Sequence, residues 1–489
     1  MGASGCRAIA QAIHLKTSIH WFRRDFRLTD NASLSAAAHA AEHVVPVYIL
    51  SMWKQKHHWT GPNRQEFLCG CLRALAADLQ AIGGRLIIRA GDAEEELEKL
   101  LIETKAEAIH CQRDPDPFGR ALEQKVAAMA RKRGVAFQAH PGVAMHERDE
   151  VLTGAGEPYR VYSPYAKAWE KLPKPPPGPR VRQLTTPAEV PSLPLPELSR
   201  WGLRSEGTSI SAPGEAAARQ RLATFLSDAG GIGRYAAERN IPHGATTSRF
   251  SQDLRWGLLS IREIYGRCQA LLLEVDAKGR DSLLKFGREL AWREFYLQIL
   301  HHYPDVLRDD FNPATRGLPW RTAADEPAAF ARWCEGKTGF PMVDAGMRQL
   351  ARLGFMHNRL RMITAMFLTK DLRIHWRDGE AFFMRKLVDG EIANNNGGWQ
   401  WSAGTGADAA PYFRIQNPWT QGRRFDPQGE FIKEFVPELR AVPAEALHQP
   451  PAPGAQLAAD YPPPTLDHAA ARDETLDMFR ARKGGSRCL

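Results

Sequence analysis

Three stretches of the chain concentrate side chains that can bind or react. The longest runs from GFMHNRLRM (Gly354 to Met362) through DGEIANNNGGWQW (Asp389 to Trp401) to PYFRI (Pro411 to Ile415). Three asparagines followed by two glycines make a polar, permissive backbone, costly to bury unless something polar is bound against it. If this stretch is helical, Trp399 and Trp401 point about 200° apart, so one can face inward while the other lines a cavity. In ELAWREFY (Glu289 to Tyr296), Glu289 and Trp292 stand i, i+3 on one helix face. An acid beside an indole can grip a base, or can be a solvated glutamate next to a core tryptophan. The third stretch, GATTSRFS (Gly244 to Ser251), is a hydroxyl-rich turn leading into a helix, which suits an anion and equally suits simple caps. Composition alone names no ligand.

These residues need a scaffold, and the pattern around them supplies two kinds. Over the first 140 residues, β-rich runs at 18–22, 44–50, 85–89, 108–112 and 136–139 alternate with helical stretches such as 64–82 and 118–133. The expected fold class there is α/β, a doubly wound parallel sheet. Its first strand runs into WFRRDFRLTDN (Trp21 to Asn31), not into GxGxxG, which argues against a conventional NAD site. Prolines then crowd the stretch from Leu172 to Trp201, which reads as an extended connector. After about Gly214 the pattern is helical, an all-α domain, with an Ala/Pro-rich tail after about Pro437. The expected division is a flexible extension (1–16), an α/β domain (17–145), a Pro-rich linker (146–214) and a helical domain (215–489).

Hydrophobic residues make up 43% of the 489 and charged residues 25%, as in soluble globular proteins. No apolar run approaches a membrane span and the first sixteen residues lack the apolar core of a signal peptide, so the reading is cytoplasmic, with no membrane partner. The seven cysteines contain no CxxC pair, and no metal is expected. The formal net charge of +9 suits a polyanionic partner. Most of the thirteen tryptophans lie in the second half beside arginines, where they can stack on bases or fill a helical core.

Six motifs together carry a resemblance. WFRRDFRLTDN, TTSRFS (Thr246 to Ser251), ELAWREFY, GKTGFPMVDAGMRQL (Gly336 to Leu350), MHNRLRMITAMFLTKDL (Met356 to Leu372) and DGEIANNNGGWQW occur in the order and spacing of the photolyase/cryptochrome family. Within it, the chain resembles the class I cyclobutane pyrimidine dimer photolyases. The resemblance implies an α/β antenna domain, a linker and a helical domain that holds FAD in a bent conformation. By motif position, Tyr235 and the segment Thr247, Ser248, Arg249, Phe250 and Ser251 hold the phosphates, while Asp389, Gly390 and Glu391 approach ribose and ring. Arg361 pairs with Asp389, and Asn395 matches the asparagine at flavin N5. Phe250 stands where the family usually has Leu, and Phe355 where class I members commonly have Trp.

The resemblance also implies a substrate, DNA containing pyrimidine dimers, acted on by a monomer. Glu289 matches the acid that bonds the damaged bases, Trp292 and Trp401 the indoles that sandwich them, and Asn358 and Met362 the pocket floor. Arg239, Arg359, Arg414 and Gln421 match groups that contact DNA near the lesion. Trp399, Trp376 and Trp320 match the chain that relays an electron from the surface to the flavin. The implied activity is light-driven repair of the dimer. The alternative on the same scaffold is a cryptochrome-type signalling photoreceptor, against which the intact set Glu289, Trp292, Met362 and Trp401 speaks. A (6-4) photolyase would need a histidine pair absent from the Asn358 to Met362 pocket. An antenna chromophore, folate or deazaflavin, stays open; Trp53, His57, His58 and Asp116 fall in loops that could border one.

Overall fold

A computed structural model describes residues 15–51, 57–227, 230–244 and 246–485, so Trp53 lies outside the described residues. The five β-rich runs become β1 (Leu15–Phe22), β2 (Ala41–Ser51), β3 (Ile87–Gly91), β4 (Ala108–Gln112) and β5 (Ala136–His140). They form one parallel sheet in the order β3-β2-β1-β4-β5, with Ile19 of β1 opposite Val45 on one side and Ile109 on the other. The central strand is buried from Thr17 to its end, as a strand covered by helices on both faces must be. Those helices are α1 (Ala32–Ala40), α2 (Pro62–Gln80), α3 (Ala93–Thr104) and α4 (Pro117–Lys132). Asn31, Asp92 and Asp116 cap α1, α3 and α4 through their side-chain oxygens.

Strand order reverses between β1 and β4, the place where open α/β sheets leave a crevice beyond the strand ends. Here the loop after β1 and the loop after β4 both turn toward the helical domain. Between the domains the expected linker is not extended throughout, since Tyr162–Lys171 forms α5. Beyond it the prolines do keep the chain irregular, and the strap covers the edge strand. The Leu193 amide donates to Ile88 O at 2.9 Å, and the Ile88 amide to Ser192 Oγ at 2.9 Å.

The helical domain runs through α6 (Glu215–Leu226), α7 (Tyr235–Glu238), α8 (Ser251–Trp256), α9 (Ile261–Leu271) and the long α10 (Ala277–His302). It continues through α11 (Pro327–Glu335), α12 (Pro341–Leu353), α13 (Asn358–Met366), α14 (Trp376–Lys386), α15 (Ile392–Ala403), α16 (Pro418–Phe425) and α17 (Glu430–Phe435). The tail differs from expectation: it ends in α18 (His468–Gly485), whose Ala471, Thr475 and Phe479 are buried, with the Thr475 hydroxyl on Lys370 O. Leu476 is buried in the same stripe, and this short face does not stand out from the proline-rich stretch before it. The three asparagines and two glycines lie inside α15, so the polar, permissive segment is helical. Among the described residues no helix is long and apolar enough to cross a membrane.

The two domains share one core. Phe26, just past β1, stacks on Trp256 at 5.9 Å, and its amide donates to Trp256 O at 3.2 Å. Glu215 accepts the Leu28 and Thr29 amides at 2.8 and 3.1 Å, and Asp30 accepts the Gly178 amide at 2.6 Å. Buried Glu294 ties α10 to the connector, accepting from the Met145 amide and, at 2.7 Å, from Trp169 Nε1. One tight approach is at Gly257, which closes α8 at φ 65°: a Cβ there would stand 1.8 Å from Arg24 O. Gly257→Ala therefore meets both a left-handed backbone and a backbone clash, and is expected to destabilise the protein by more than about 2 kcal/mol in urea unfolding.

Candidate functional site

The crevice at the strand-order reversal is filled by charge. Arg24, after β1, pairs with Glu391 from the start of α15, lies 3.3 Å from Asp114 Oδ1 and 3.9 Å from Asp116 Oδ2. Arg23 pairs with Glu123 and sits 3.3 Å from Asp114. From the helical side, Arg293 stands 3.8 Å from Glu391 and Arg255 Nε donates to Gly390 O at 3.1 Å. Burial works to raise the Glu391 carboxyl, but Arg24, Arg293 and Arg255 outweigh it and hold it at about 2. Asp116, by contrast, rises because burial and its neighbour Asp114 both oppose its charge.

Glu391, expected beside ribose and ring, has its carboxylate paired with Arg24 and with Asn394 Nδ2 at 2.5 Å, so it fixes the loop and holds it to the α/β domain. Asp116, expected to border an antenna group, caps α4 and joins the same cluster. His57 and His58 stack on each other at 4.4 Å beside Trp59, at the entrance to α2.

Behind the clamped loop lies a polar pocket wall. Arg361 NH2 donates to Asp389 Oδ2 at 2.8 Å, while its Nε is held by Met356 O at 2.8 Å. The other Asp389 oxygen is buried with no hydrogen-bond partner, an acceptor left for a ligand donor. Tyr235 and Phe250 are buried edge-on against Phe286 and Phe225, at 5.4 Å for Tyr235–Phe286 and for Phe250–Phe225, so the phenyl ring in place of Leu fits. Thr247 and Ser248 are half-buried, Arg249 and Ser251 exposed, and Arg249 bends the chain at φ 52°. Arg249 and Arg361 both lie over the Phe355 ring, at 5.1 and 5.7 Å.

Asn395 Nδ2 donates to Glu380 O at 3.1 Å, and its neighbour Asn396 donates to Glu380 Oε1 at 3.0 Å and to Val306 O at 3.1 Å. Burial pushes the Glu380 carboxyl up to about 7 although the Asn396 bond opposes this. Nothing in WRDGEAFFMRK marks Glu380 as buried except its i, i+4 relation to Trp376 on α14. Hydroxyls and a guanidinium for phosphates, an unmet buried carboxylate oxygen, and oriented amides together fit FAD.

A second set of residues, those expected to line a pocket for damaged bases, lies on three helices. α15 packs against both α10 and α13, and at Gly397 a Cβ would stand 2.1 Å from the Tyr296 ring. On these helices Glu289, Trp292, Met362 and Trp401 are half-exposed and Asn358 is exposed. Glu289 is paired with Arg239; burial raises its carboxyl and Arg239 opposes the rise. Trp292 stacks on Tyr162 at 3.6 Å and 11°. Arg359 is engaged, donating to Asn240 Oδ1 at 2.7 Å and lying 4.5 Å over Phe425, whereas Arg414 is exposed beside Phe413 and Gln421 is half-buried on α16.

The tryptophans separate as their spacing implies: Trp399 is 2% exposed while Trp401 is half-exposed. Trp399 meets Phe383 at 4.9 Å and Trp333 at 6.0 Å, and its ring edge fills the space above Gly379 of α14. Trp376, the first residue of α14, is buried with Nε1 on Asp310 Oδ1 at 2.9 Å. His375 contacts both Trp376 (5.5 Å) and half-buried Trp320 (6.1 Å). Among the described residues, Asp149, His301 and His302 could face a cation. Arg120 NH1 lies 2.8 Å from His301 Nδ1, which places the proton of the neutral ring on Nε2, toward Asp149, and suits a hydrogen bond better than a metal.

Comparison with known proteins gives the same two-part picture. Residues 18–182 match the DNA photolyase domain and residues 286–481 the FAD-binding domain of DNA photolyase. A deoxyribodipyrimidine photo-lyase of Halobacterium salinarum is 37% identical over 483 residues, covering 95% of this chain and 99% of that one. The crystal structure of a class III photolyase from Agrobacterium tumefaciens superimposes with a TM-score of 0.89 at 36% identity, covering 98% of this chain and 100% of that chain. A Synechocystis cryptochrome superimposes with a TM-score of 0.85 at 28% identity, covering 95% and 99%.

The Glu391 clamp has a pH signature. Its folded value of about 2 lies below the ordinary 4.5, so its contribution to stability is full above about 4.5 and is lost as the pH falls toward 2. Glu391→Gln is expected to be less stable than wild type by about 3 kcal/mol at pH 7, since it leaves Arg24 without its buried counter-charge. Unfolding curves at descending pH should show that gap narrowing between about 4.5 and 2.

Proposed function

The chain belongs to the photolyase/cryptochrome family, and from that premise we propose that it repairs DNA by splitting cyclobutane pyrimidine dimers in light. The observation that carries this reading is that Glu289, Trp292, Met362 and Trp401 are all half-exposed on α10, α13 and α15, with α15 packed against both others, Asp389 just before α15 and Asn395 on it. FAD, when bound against the polar wall, supplies a light-absorbing electron donor; Asp389, Arg361, Asn395, Tyr235 and the Thr247 to Ser251 turn would hold it.

The residues of the chain do the rest. A dimer already weakens its local stacking, so turning it out of the duplex costs less than turning out an intact pair, and the difference favours damaged sites. Trp292 and Trp401 offer aromatic faces to the extruded bases. Once the lesion displaces it from Arg239, Glu289 in its protonated form donates its O–H to a base carbonyl, stabilising charge as it arrives there; burial, which raises its carboxyl, favours that form. Arg414 and the basic surface supply affinity for any duplex. The reaction returns the electron, so no net oxidation or reduction remains. Trp399, Trp376 and Trp320 support a separate role, carrying an electron inward from the surface.

Matched damaged and intact duplexes titrated at several salt concentrations separate these roles. Trp401→Ala should remove on the order of 1–3 kcal/mol of binding to damaged DNA alone, with the salt dependence unchanged. Arg414→Ala should weaken both duplexes and reduce the salt slope by about one. Equal weakening of both duplexes by Trp401→Ala would remove the lesion pocket from the account. Trp399→Phe should slow photoreduction of bound FAD yet leave repair by chemically reduced protein nearly intact; equal loss in both assays would show that Trp399 acts on repair itself.

A further inference from the structure

Trp292 has two faces, and the chain itself covers one of them. Tyr162, the first residue of α5, lies parallel to the indole at a ring separation of 3.6 Å and an interplanar angle of 11°. Its hydroxyl donates to Arg288 O at 2.7 Å, next to Glu289, and its ring edge meets Phe295 at 5.9 Å. The tyrosine is therefore fixed to α10 at both its ring and its hydroxyl.

The backbone of Tyr162 is fixed from the opposite direction. α5 begins after Val161, which has no side chain able to cap it. The missing acceptor comes from a distant loop: Asp408 Oδ2 accepts the Tyr162 amide at 3.2 Å. Asp408 holds this position in a left-handed backbone conformation, φ 47°. Its loop folds back on the end of α15, with the amides of Thr405 and Gly406 on Gln400 O at 3.0 and 3.1 Å and the Ala410 amide on Trp401 O at 3.2 Å. An unbroken series of contacts thus runs from the backbone of Trp401 through Asp408 and Tyr162 to the ring of Trp292.

We propose that Tyr162 and Asp408 are positioning residues that hold Trp292 and Trp401 at a fixed spacing, and so set how strongly the pocket prefers a dimer over intact bases. This rests on the reading of the pocket as the lesion site. Neither residue offers a cationic group to a phosphate, so general affinity is not expected to depend on them. Without the tyrosine, the indole loses the surface that keeps its plane fixed, and the lesion must order it on binding. Without the carboxylate, α5 loses its cap and the loop after Trp401 loses its anchor.

The test measures the ratio of affinities for dimer-containing and intact duplexes in the FAD-loaded protein, with FAD content and thermal midpoint recorded for each variant. Tyr162→Ala should lower the ratio roughly three- to tenfold, the worth of one aromatic stack, with intact-DNA affinity and salt slope unchanged. Tyr162→Phe keeps the stack and should keep the ratio. Asp408→Gly relieves the left-handed backbone but removes the acceptor and should lower the ratio; Asp408→Asn keeps an acceptor and should restore it. If Tyr162→Ala fails to fold, the Asp408 pair decides the matter alone. A wild-type ratio in well-folded Tyr162→Ala or Asp408→Gly overturns the proposal while leaving the lesion pocket standing. Wild type with no preference for damaged DNA removes the pocket reading itself.

Discussion

Arg24 and Glu391 meet where neither can be solvated, between the end of the central strand and the start of α15. Two ions in such a place lose several kcal/mol of hydration each, and a single pair does not recover it. Here each has further partners: Asp114 and Asp116 for the arginine, Arg293 and Asn394 for the glutamate. Most of the network's groups are paired with one another, Arg293 Nη2 being buried without a hydrogen-bond partner, and charge fills the crevice that other doubly wound sheets give to a nucleotide. Its effect is to hold the 389–391 loop, and everything that α15 then carries, at one position relative to the α/β domain.

From that fixed start α15 distributes its side chains by helical period. Asn396 turns inward to Glu380 and Val306, and Asn395 reaches the Glu380 carbonyl. Trp399 is sealed against Phe383 and Gly379, and Trp401 emerges half-exposed. The glycines in the same helix lower its intrinsic stability, and at Gly397 the gain is visible, since Tyr296 of α10 occupies the space a side chain would need. One helix therefore carries buried Asn396, the buried Trp399 indole and half-exposed Trp401, and α10 and α13 pack against it. Trp399, Trp376 and Asn396 are enclosed and one Asp389 oxygen is buried without a partner, whereas the residues expected to touch DNA are half-exposed or exposed.

The sheet was legible because its strands are buried on both faces and read as short apolar runs between helices. The prolines from 175 to 196 excluded regular structure for a local reason that tertiary packing cannot override. Trp399 and Trp401 followed from the helical period alone. The hidden parts depend on distant partners. Glu391 looked like a ligand-facing acid because nothing local reveals Arg24, 367 residues away, as its counter-ion. Tyr162 and Asp408 sit 246 positions apart and carry no common pattern. The polar segment of α15 carries no helical signal of its own because asparagine and glycine both disfavour helix, and only tertiary packing supplies the difference.

The central claim is a light-driven bond cleavage that depends on FAD, and one measurement addresses it directly. A duplex containing a cyclobutane thymine dimer is mixed with the FAD-loaded, chemically reduced protein, and the remaining dimer is counted after equal times in the dark and under blue or near-ultraviolet light. The account expects dimer loss under light alone, many turnovers per protein, and flavin still reduced at the end. Dimer loss that proceeds equally well without FAD, or none in light with FAD fully reduced, would contradict it.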